Sequence, residues 1–198
     1  GILNACTYVT RGHVFASSQS GNLLYMGLDL AAGDFSKFPK YIFCIVMFGA
    51  GVFLAEHFHS KYRQYGWRKI STLLEICLIG LATFMPDSLN MIANPIFGLV
   101  CGLQSITFRM FHQISLPTIN INANIQNAIQ YASRYLHTAD QDSLHRTILY
   151  VIIITTYLAG IILGAVLARP MGHYVSLASI ACLILALIMM IPGPKTER

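Results

Sequence analysis

The stretch of sequence that decides the fold is residues 147–168, TILYVIIITTYLAGIILGAVLA, which contains no charged side chain. About 20 consecutive apolar residues are enough for an α-helix to cross the hydrocarbon core of a bilayer. This run therefore predicts a transmembrane helix, and the hydrophobicity of the other segments can be judged against it.

The composition of the whole chain agrees with a membrane setting. Its 198 residues are 55% hydrophobic and only 11% charged, and the mean hydropathy is +0.59. An average soluble domain carries about 25% charged residues, so a water-soluble fold of this composition would lack the charges to cover its surface. Intrinsic disorder is excluded as well, because it requires low hydrophobicity and high charge.

Further apolar runs predict five more helices of the same kind. Four of them occupy residues 41–55, 70–85, 91–110 and 175–191. Residues 1–10 have the character of the end of another such helix, and we expect its start to lie outside this sequence. We therefore expect an all-α, polytopic membrane protein with six transmembrane helices.

Two other segments, residues 17–33 and 118–136, have helical periodicity but begin with small or polar residues. We expect them to form two short interrupted or re-entrant helices. The second is rich in uncharged amides, with Asn120, Asn124 and Asn127 in one row along the helix and Asn122 in another. Amides are costly against lipid, so they must face protein, a water-filled cavity or the membrane surface.

The two halves of the chain resemble each other in four blocks that keep the same order. Residues 1–11 align with 102–112, residues 20–22 with 122–124, residues 51–55 with 160–164, and the pair Gly66 and Pro86 with Gly172 and Pro192. The pattern predicts a duplication into a first membrane repeat (residues 1–90) and a second (residues 91–198), which together form one membrane domain.

Each repeat would hold three transmembrane helices and one short helix. Because three is odd, the second repeat is inverted relative to the first if the short helices do not cross. If both cross, there are eight crossings and the repeats are parallel. The basic loop 57–69 contains no acidic residue, and such loops favour the cytoplasmic side, which puts residues 86–90 outside. Inverted repeats with interrupted helices recur in transporters.

Three candidate site residues, Ser20, Gly21 and Asn22, lie at the start of the first short helix. A helix N-terminus offers free N–H donors and a partial positive charge, and glycine permits close approach to the backbone. These residues could contact a substrate, or they could form an ordinary helix cap in a tight turn.

Four amides of the second short helix, Asn120, Asn122, Asn124 and Asn127, are candidates for lining a polar pathway. An amide both donates and accepts hydrogen bonds, so it suits a neutral polar solute, water or an anion. The alternative is that these amides bond between helices and stabilise their packing.

Three charged residues in apolar surroundings, Asp29, Glu75 and Arg109, are candidates for coupling or an ion contact. An acid within a membrane suggests proton or cation handling by default. The alternatives are an ion pair at the interface for Glu75, a cap or outer-surface position for Asp29, and a snorkelling interfacial side chain for Arg109.

Several classes of function are disfavoured by the sequence. No nucleotide-binding, serine-hydrolase or zinc-protease motif occurs, so we expect no enzyme, no catalytic residue and no cofactor. The five cysteines form no CxxC pair, and we expect no metal site. The net charge of +5 lies in patches between apolar runs, which indicates topology control and anionic lipid rather than nucleic acid.

Residues 1–34, GILNACTYVTRGHVFASSQSGNLLYMGLDLAAGD, resemble the opening signature of the YoaK-like bacterial integral membrane proteins. That signature runs roughly G-x-x-[DN]-A-x-x-[YF], then V-F, then [TS]-G-N before an apolar helix and G-D. A second family signature, G-L-Q-[NS] followed by a turn and helix, matches residues 102–105 and 117–130. The resemblance covers essentially the whole chain; it implies a location in the bacterial cytoplasmic membrane and implies no particular activity.

These patterns together predict a small-solute transporter or channel with a polar pathway between the repeats. The expected partners are the lipid bilayer, an unidentified small solute and a second copy of the chain, which could pack through the pairs Gly98/Gly102 and Gly160/Gly164. One alternative is a non-transporting membrane scaffold with a tightly packed interior. Another is a membrane enzyme, which would cluster Asp, Glu, His or Ser around a cavity.

Overall fold

The structure, a computed structural model, describes residues 1–62, 66–111, 114, 115, 117 and 119–190. Within these residues the chain forms eight α-helices and one pair of two-residue strands. The helices are α1 (Ile2–Thr10), α2 (Gln19–Ala31), α3 (Phe38–Tyr62), α4 (Trp67–Thr83), α5 (Asn90–Thr107), α6 (Ile121–Thr138), α7 (Gln141–Met171) and α8 (Ser176–Met189). The strands, β1 (Met110–Phe111) and β2 (Ile114–Ser115), pair antiparallel.

The all-helical prediction is confirmed, and each predicted segment contains a helix. The six apolar runs correspond to α1, α3, α4, α5, α7 and α8, and the two polar-started segments to α2 and α6. Several boundaries differ by a few residues; for example, α5 ends at Thr107 and Met110 already lies in β1. The apolar pattern runs on past the helix end here, since Phe108 and Met110 are as apolar as the helix itself. Ile191, Pro192 and Thr118 lie outside the described residues.

Three stretches of the described chain are long and apolar enough to cross a membrane: Phe35–His59, Asp87–Thr107 and Gln141–Met189. The last one contains both α7 and α8, and only 11% of its most apolar window is buried within the chain. Large apolar side chains such as Phe53 and Leu185 are 70% and 60% exposed. A surface of this kind is unfavourable in water, so these helices are those of a membrane protein.

Glycines allow α3 and α5 to pack closely side by side. A Cβ atom on Gly98 would lie 2.8 Å from the carbonyl oxygen of Cys44, and Cβ atoms on Gly51 or Gly102 would collide with the facing backbone. The thiol of Cys44 donates to the carbonyl oxygen of Asn94 at 3.2 Å. Residues further along α3 contact residues further along α5, so the two helices run parallel.

The same kind of contact joins α1 to α7. Gly160 faces Gly1, and a Cβ atom on Gly164 would lie 2.8 Å from the Cβ of Ala5. This pair of helices is also parallel. The glycines of both pairs named as possible oligomer contacts thus face helices of the same chain, and assembly with a second copy stays a prediction.

The main contacts made by helices α1–α4 correspond to those made by helices α5–α8. Helix α5 packs on α3 and α4, while α1 packs on α7 and α8; α2 lies on α3, while α6 lies on α7; and α4 touches α8. If α1 is exchanged with α5, α2 with α6, α3 with α7 and α4 with α8, the same set of helix contacts results.

Polar contacts define two ends of the helix bundle. At one end, Arg11 donates to Oδ1 of Asn90 at 2.8 Å, and Nδ1 of His173 lies 3.2 Å from Asp87. At the other end, Arg109 lies 3.6 Å from Glu56. The end of α1 thus meets the start of α5, so the α1–α7 pair and the α3–α5 pair run in opposite directions.

Candidate functional site

A cavity of about 490 Å³ lies where the segments leading into α2 and α6 approach α3, α5 and α7. Ligand sites in proteins commonly measure about 300–1,000 Å³, so this cavity has room for a small solute. The first short helix contributes Ser17, Ser18, Gln19 and Ser20 to its wall, and the second contributes Pro117 and Ile119 to Asn122. The long helices contribute Phe48, Ser105 and Tyr157.

The cavity wall is built from corresponding positions of the two halves. Ser18 and Asn120 each stand immediately before their short helix, and Ser20 and Asn122 are the second residues of α2 and α6. Phe48 and Tyr157 stand at the same distance before Gly51 and Gly160, the glycines of the two close helix pairs. The cavity therefore lies between the halves.

Asn22 is fully buried and holds the segment that leads into α2. Its Oδ1 accepts from the backbone N–H of Phe15 at 2.9 Å, and its Nδ2 donates to the Phe15 carbonyl and to Oε1 of Gln19, both at 2.8 Å. These bonds satisfy both backbone groups of Phe15, which would otherwise be costly to bury. Asn22 therefore supports the segment that forms the cavity wall but does not line the cavity itself.

Asn124 performs the same task before α6. It is buried, and its Nδ2 donates to the carbonyl oxygen of Pro117 at 2.8 Å. Asn22 and Asn124 reach back over the same number of residues, which follows the sequence correspondence between residues 20–22 and 122–124. Only Asn22 also accepts a hydrogen bond from the backbone, because Pro117, the residue that Asn124 holds, has no backbone N–H.

The two short helices differ in how they begin. The side chain of Asn120 accepts from the backbone N–H of Ala123 at 3.1 Å and so caps α6. Ser18 makes no side-chain cap bond on α2. Its hydroxyl therefore remains available at the cavity wall. The backbone N–H of Gln19 donates to the carbonyl oxygen of Ser17, and those of Gly21 and Asn22 donate to the carbonyl oxygen of Ser18.

Asn4, on α1, connects the segment before α2 to the long helix α7. Its Nδ2 donates to Oγ of Ser17 at 2.8 Å and to the Tyr157 hydroxyl at 2.6 Å, while its Oδ1 accepts from the backbone N–H of Ser17 at 2.8 Å. It occupies the [DN] position of the opening signature. Asn4 thus fixes the orientation of Tyr157 at the cavity.

Not all of the predicted site residues reach the cavity. Ser20, Asn120 and Asn122 line it, whereas Asn22 and Asn124 support it. Gly21 lies under the ring of Phe15, where a Cβ atom would come within 2.7 Å of the ring, and Asn127 lies half-buried beside Tyr150. The predicted residues therefore have three different roles: some line the cavity, some support its wall, and some pack against neighbouring side chains.

The predicted charged residues lie elsewhere. Asp29 bonds to Lys37 at 3.1 Å and to the Tyr41 hydroxyl at 2.9 Å, and the Lys37 hydrogen bond is the largest cause that lowers the pKa of Asp29 below its usual value. Arg109 lies beside Glu56 at the end of the bundle. Glu75 is buried between α4 and α5. None of the three belongs to the cavity wall.

The sequence patterns did not single out several other wall residues, among them Ser17, Ser18, Gln19, Phe48, Ser105 and Tyr157. The repeat contained a usable signal, because Phe48 and Tyr157 hold matching places before matching glycines. Ser105 closes the G-L-Q-S block of the second signature. No sequence pattern marks Gln19, whose role depends on the three-dimensional path of the chain.

The described wall residues are uncharged, so the cavity offers hydroxyls, amides and two aromatic rings. Hydroxyls and amides donate and accept, while helix starts supply only donors and partial positive charge. This chemistry suits a neutral polar solute or a small anion. Among the residues that the structure describes, no group of three His, Cys, Asp or Glu side chains could hold a metal ion.

Comparison with known proteins places the chain in a family. Residues 1–191 match the model of the family described as "Protein of unknown function (DUF1275)". No curated protein and no solved structure matches the chain. The resemblance to the YoaK-like membrane proteins is consistent with this match, which covers almost the whole sequence. The chain is therefore a member of the DUF1275 family and a helical membrane protein.

Proposed function

We propose that the chain crosses the membrane six times and consists of two inverted repeats, residues 1–90 and 91–198, each with one re-entrant helix. Three observations support this arrangement: the contact pattern that survives exchange of the halves, the opposite directions of the two parallel helix pairs, and the convergence of α2 and α6 on one cavity. Helices α1, α4 and α8, with 9, 17 and 14 residues, are then the short members of the six.

We further propose that the protein is a small-solute transporter or channel and that its pathway passes through the cavity between the repeats. The observation that carries this proposal is the construction of one polar cavity from matching positions of both halves. Non-helical backbone at membrane depth is tolerated only inside protein or beside water, and the segments before α2 and α6 supply such backbone.

The proposed solute is small and is either neutral and polar or singly anionic. An uncharged wall beside the N-terminal ends of two helices, which carry partial positive charge, gives little to a cation. The proposed location is the bacterial cytoplasmic membrane, with residues 57–69 in the cytoplasm, because those residues are basic. Partners of the chain are then the lipid bilayer and this solute.

The scaffold alternative predicts a tightly packed interior, and a cavity of about 490 Å³ argues against it. The enzyme alternative predicts an acid or base beside the cavity. The part of the wall that the structure describes has serine hydroxyls but no Asp, Glu or His, one of which would be needed to activate such a hydroxyl. These contrasts favour transport over both alternatives.

Reconstituted liposomes test the proposal directly. Urea and glycerol serve as neutral probes, and formate and nitrate as anionic probes, with flux followed by light scattering or by a dye in the lumen. We expect flux of at least one probe, and a loss of at least about tenfold in Asn122→Leu, a barrier change of about 1.4 kcal/mol.

Gln126→Leu is the matched control, because Gln126 lies on the same face of α6 one turn further on and is exposed outside the cavity wall. Its flux should equal that of the unmodified protein. If no probe crosses, or if Asn122→Leu and Gln126→Leu behave alike, the proposed pathway is wrong.

A further inference from the structure

Glu75 lies in the middle of α4 and is fully buried, with 0% of its surface exposed. One carboxyl oxygen, Oε1, lies 3.0 Å from Oγ of Ser71, and the other, Oε2, has no hydrogen-bond partner among the described residues. An ionised carboxylate without a cation is expensive in such a place. The protein therefore holds a group whose charge it does not compensate.

Within the described part of the chain, no cation from the packed helices neutralises this carboxyl. Helices α5 and α8 carry one titratable side chain each, Cys101 and Cys182, and Cys101 faces Glu75. On α4 itself, Arg68 and Lys69 lie in the first turn, well before Glu75, and Cys77 is exposed. The charged residues and histidines of α3 lie near its two ends, as Lys40, Glu56, His57, His59 and Lys61.

The hydrogen bonds around Glu75 form a chain that contains hydroxyl groups. Oγ of Ser71 lies 2.9 Å from Oγ1 of Thr107, which in turn lies 2.9 Å from the carbonyl oxygen of Leu103. Each hydroxyl has a single proton to donate. All three contacts can be hydrogen bonds at once only if the carboxyl group donates its own proton to Ser71, Ser71 donates to Thr107, and Thr107 donates to Leu103.

When Glu75 loses its proton, the two hydroxyls can rotate so that Thr107 donates to Ser71 and Ser71 donates to the carboxylate. The carbonyl oxygen of Leu103 then loses one hydrogen bond. The chain thus accommodates both protonation states of Glu75 by turning two hydroxyls, with no movement of the backbone.

The second half of the protein shows that the fold does not require this carboxyl. Buried residues Ser71, Glu75 and Ile79 of α4 have the same spacing as the buried residues Val175, Ser179 and Leu183 beside and within α8. By this burial pattern Ser179 takes the place of Glu75. The register of the pairs Gly66/Gly172 and Pro86/Pro192 would instead give the exposed Ala181, and neither residue is acidic. Likewise Cys6, the counterpart of Thr107 in the aligned blocks, packs with Val175.

We propose that Glu75, with Ser71 and Thr107, is a proton-binding site of the membrane domain and couples proton movement to solute movement through the cavity. The last turns of α5 connect the two places, because Ser105 lines the cavity and Thr107 belongs to the hydroxyl chain. The coupling rests on the proposed transport function, whereas the proton site can be tested without it.

Infrared spectroscopy of the purified protein in lipid nanodiscs tests the proton site. At neutral pH we expect a carbonyl stretching band of a protonated carboxylic acid in the unmodified protein and loss of that band in Glu75→Gln. Glu56→Gln, which removes an exposed carboxyl of α3, should leave the band in place. A band that survives Glu75→Gln, or no such band at any pH, would overturn the proposal.

Glu75→Ser is the second variant, because by the burial pattern Ser179 takes the place of Glu75 in the other half, and it should fold if Glu75→Gln does not. A pH-sensitive dye in the lumen of liposomes tests coupling with the same urea, glycerol, formate and nitrate probes. We expect probe entry to change the pH of the lumen in the unmodified protein and not in either Glu75 variant.

The possible failures are distinguishable. Absence of flux for every probe contradicts the transport function, and the infrared band then decides by itself whether Glu75 binds a proton. Flux without any change of pH contradicts the coupling alone.

Discussion

At the scale of single residues, buried amides and one buried guanidinium stabilise the irregular parts of the chain. Asn22 and Asn124 hold the segments before the short helices, and Asn4 ties one of these segments to α7. The sequence pattern indicated Asn22 and Asn124 from their places in the aligned blocks, but it predicted a solute pathway for them. It could not separate wall from support, because an amide side chain is equally suited to both.

Replacing Asn22 tests the supporting role. Asn22→Ala removes three hydrogen bonds and leaves both backbone groups of Phe15 without a partner, at a cost of about 1–3 kcal/mol for each buried group. Asn124→Ala removes one bond, so its effect should be smaller. Thermal unfolding in detergent measures both, with Gln126→Ala as the exposed control. Equal midpoints for Asn22→Ala and Gln126→Ala would contradict this role.

Arg11 is fully buried and donates to the carbonyl oxygens of Ala82, Thr83 and Met85 at 2.8 to 3.2 Å. It thereby satisfies the end of α4. Arg11→Lys keeps the charge but loses the planar fork, so it should lower the unfolding midpoint clearly, at about 1–3 kcal/mol for each acceptor left unpaired. Arg109→Lys, at an exposed ion pair, should change little. Similar midpoints for the two variants would show that the Arg11 contacts contribute nothing.

At the scale of helices, glycine contacts set the distance between neighbours. The sequence predicted the helices well, because long apolar runs in a chain with few charges leave few other structures. It predicted the surroundings of each helix poorly. In α6 the apolar side chains of Ile125, Ile129 and Leu136 are exposed, and the helix packs on α7 through Ala128 and Tyr131. Periodicity shows which residues share a face, but lipid and protein are both apolar neighbours.

Gly102→Ala tests the close packing of α3 and α5. The added Cβ would collide with the Phe48 carbonyl oxygen, and forcing extra atoms into such a contact costs about 1–3 kcal/mol. Gly49→Ala is the matched control, since nothing lies within 4 Å of its Cβ position on α3. We expect a lower unfolding midpoint only for Gly102→Ala; a drop of the same size in Gly49→Ala would refute the packing argument.

At the scale of the whole molecule, the proposed duplication accounts for the way in which the candidate site is built. The sequence blocks predicted two halves, and the helix contacts exchange between those halves in the same way. The cavity could not be located from sequence, because it depends on how two distant segments approach each other across the bundle. Its position between the halves nevertheless agrees with the expected pathway.

Cysteine labelling tests the sidedness that the inverted arrangement implies. In a cysteine-free background, Ser88→Cys should react with a membrane-impermeant reagent from outside intact cells, and Glu56→Cys only after the cells are opened. The positive charge of residues 57–69 is the physical reason. Reaction of both positions from the same side would contradict the proposed orientation.

The measurement that tests the solute pathway most directly is the block of flux by a thiol reagent at a single introduced cysteine. Asn122→Cys lies in the cavity wall, and Gln126→Cys lies one turn away outside it. In liposomes that contain the cysteine-free protein with one of these changes, a small water-soluble reagent should stop solute flux through Asn122→Cys and leave Gln126→Cys unaffected. Undiminished flux after complete modification of Asn122→Cys would contradict a pathway through the cavity.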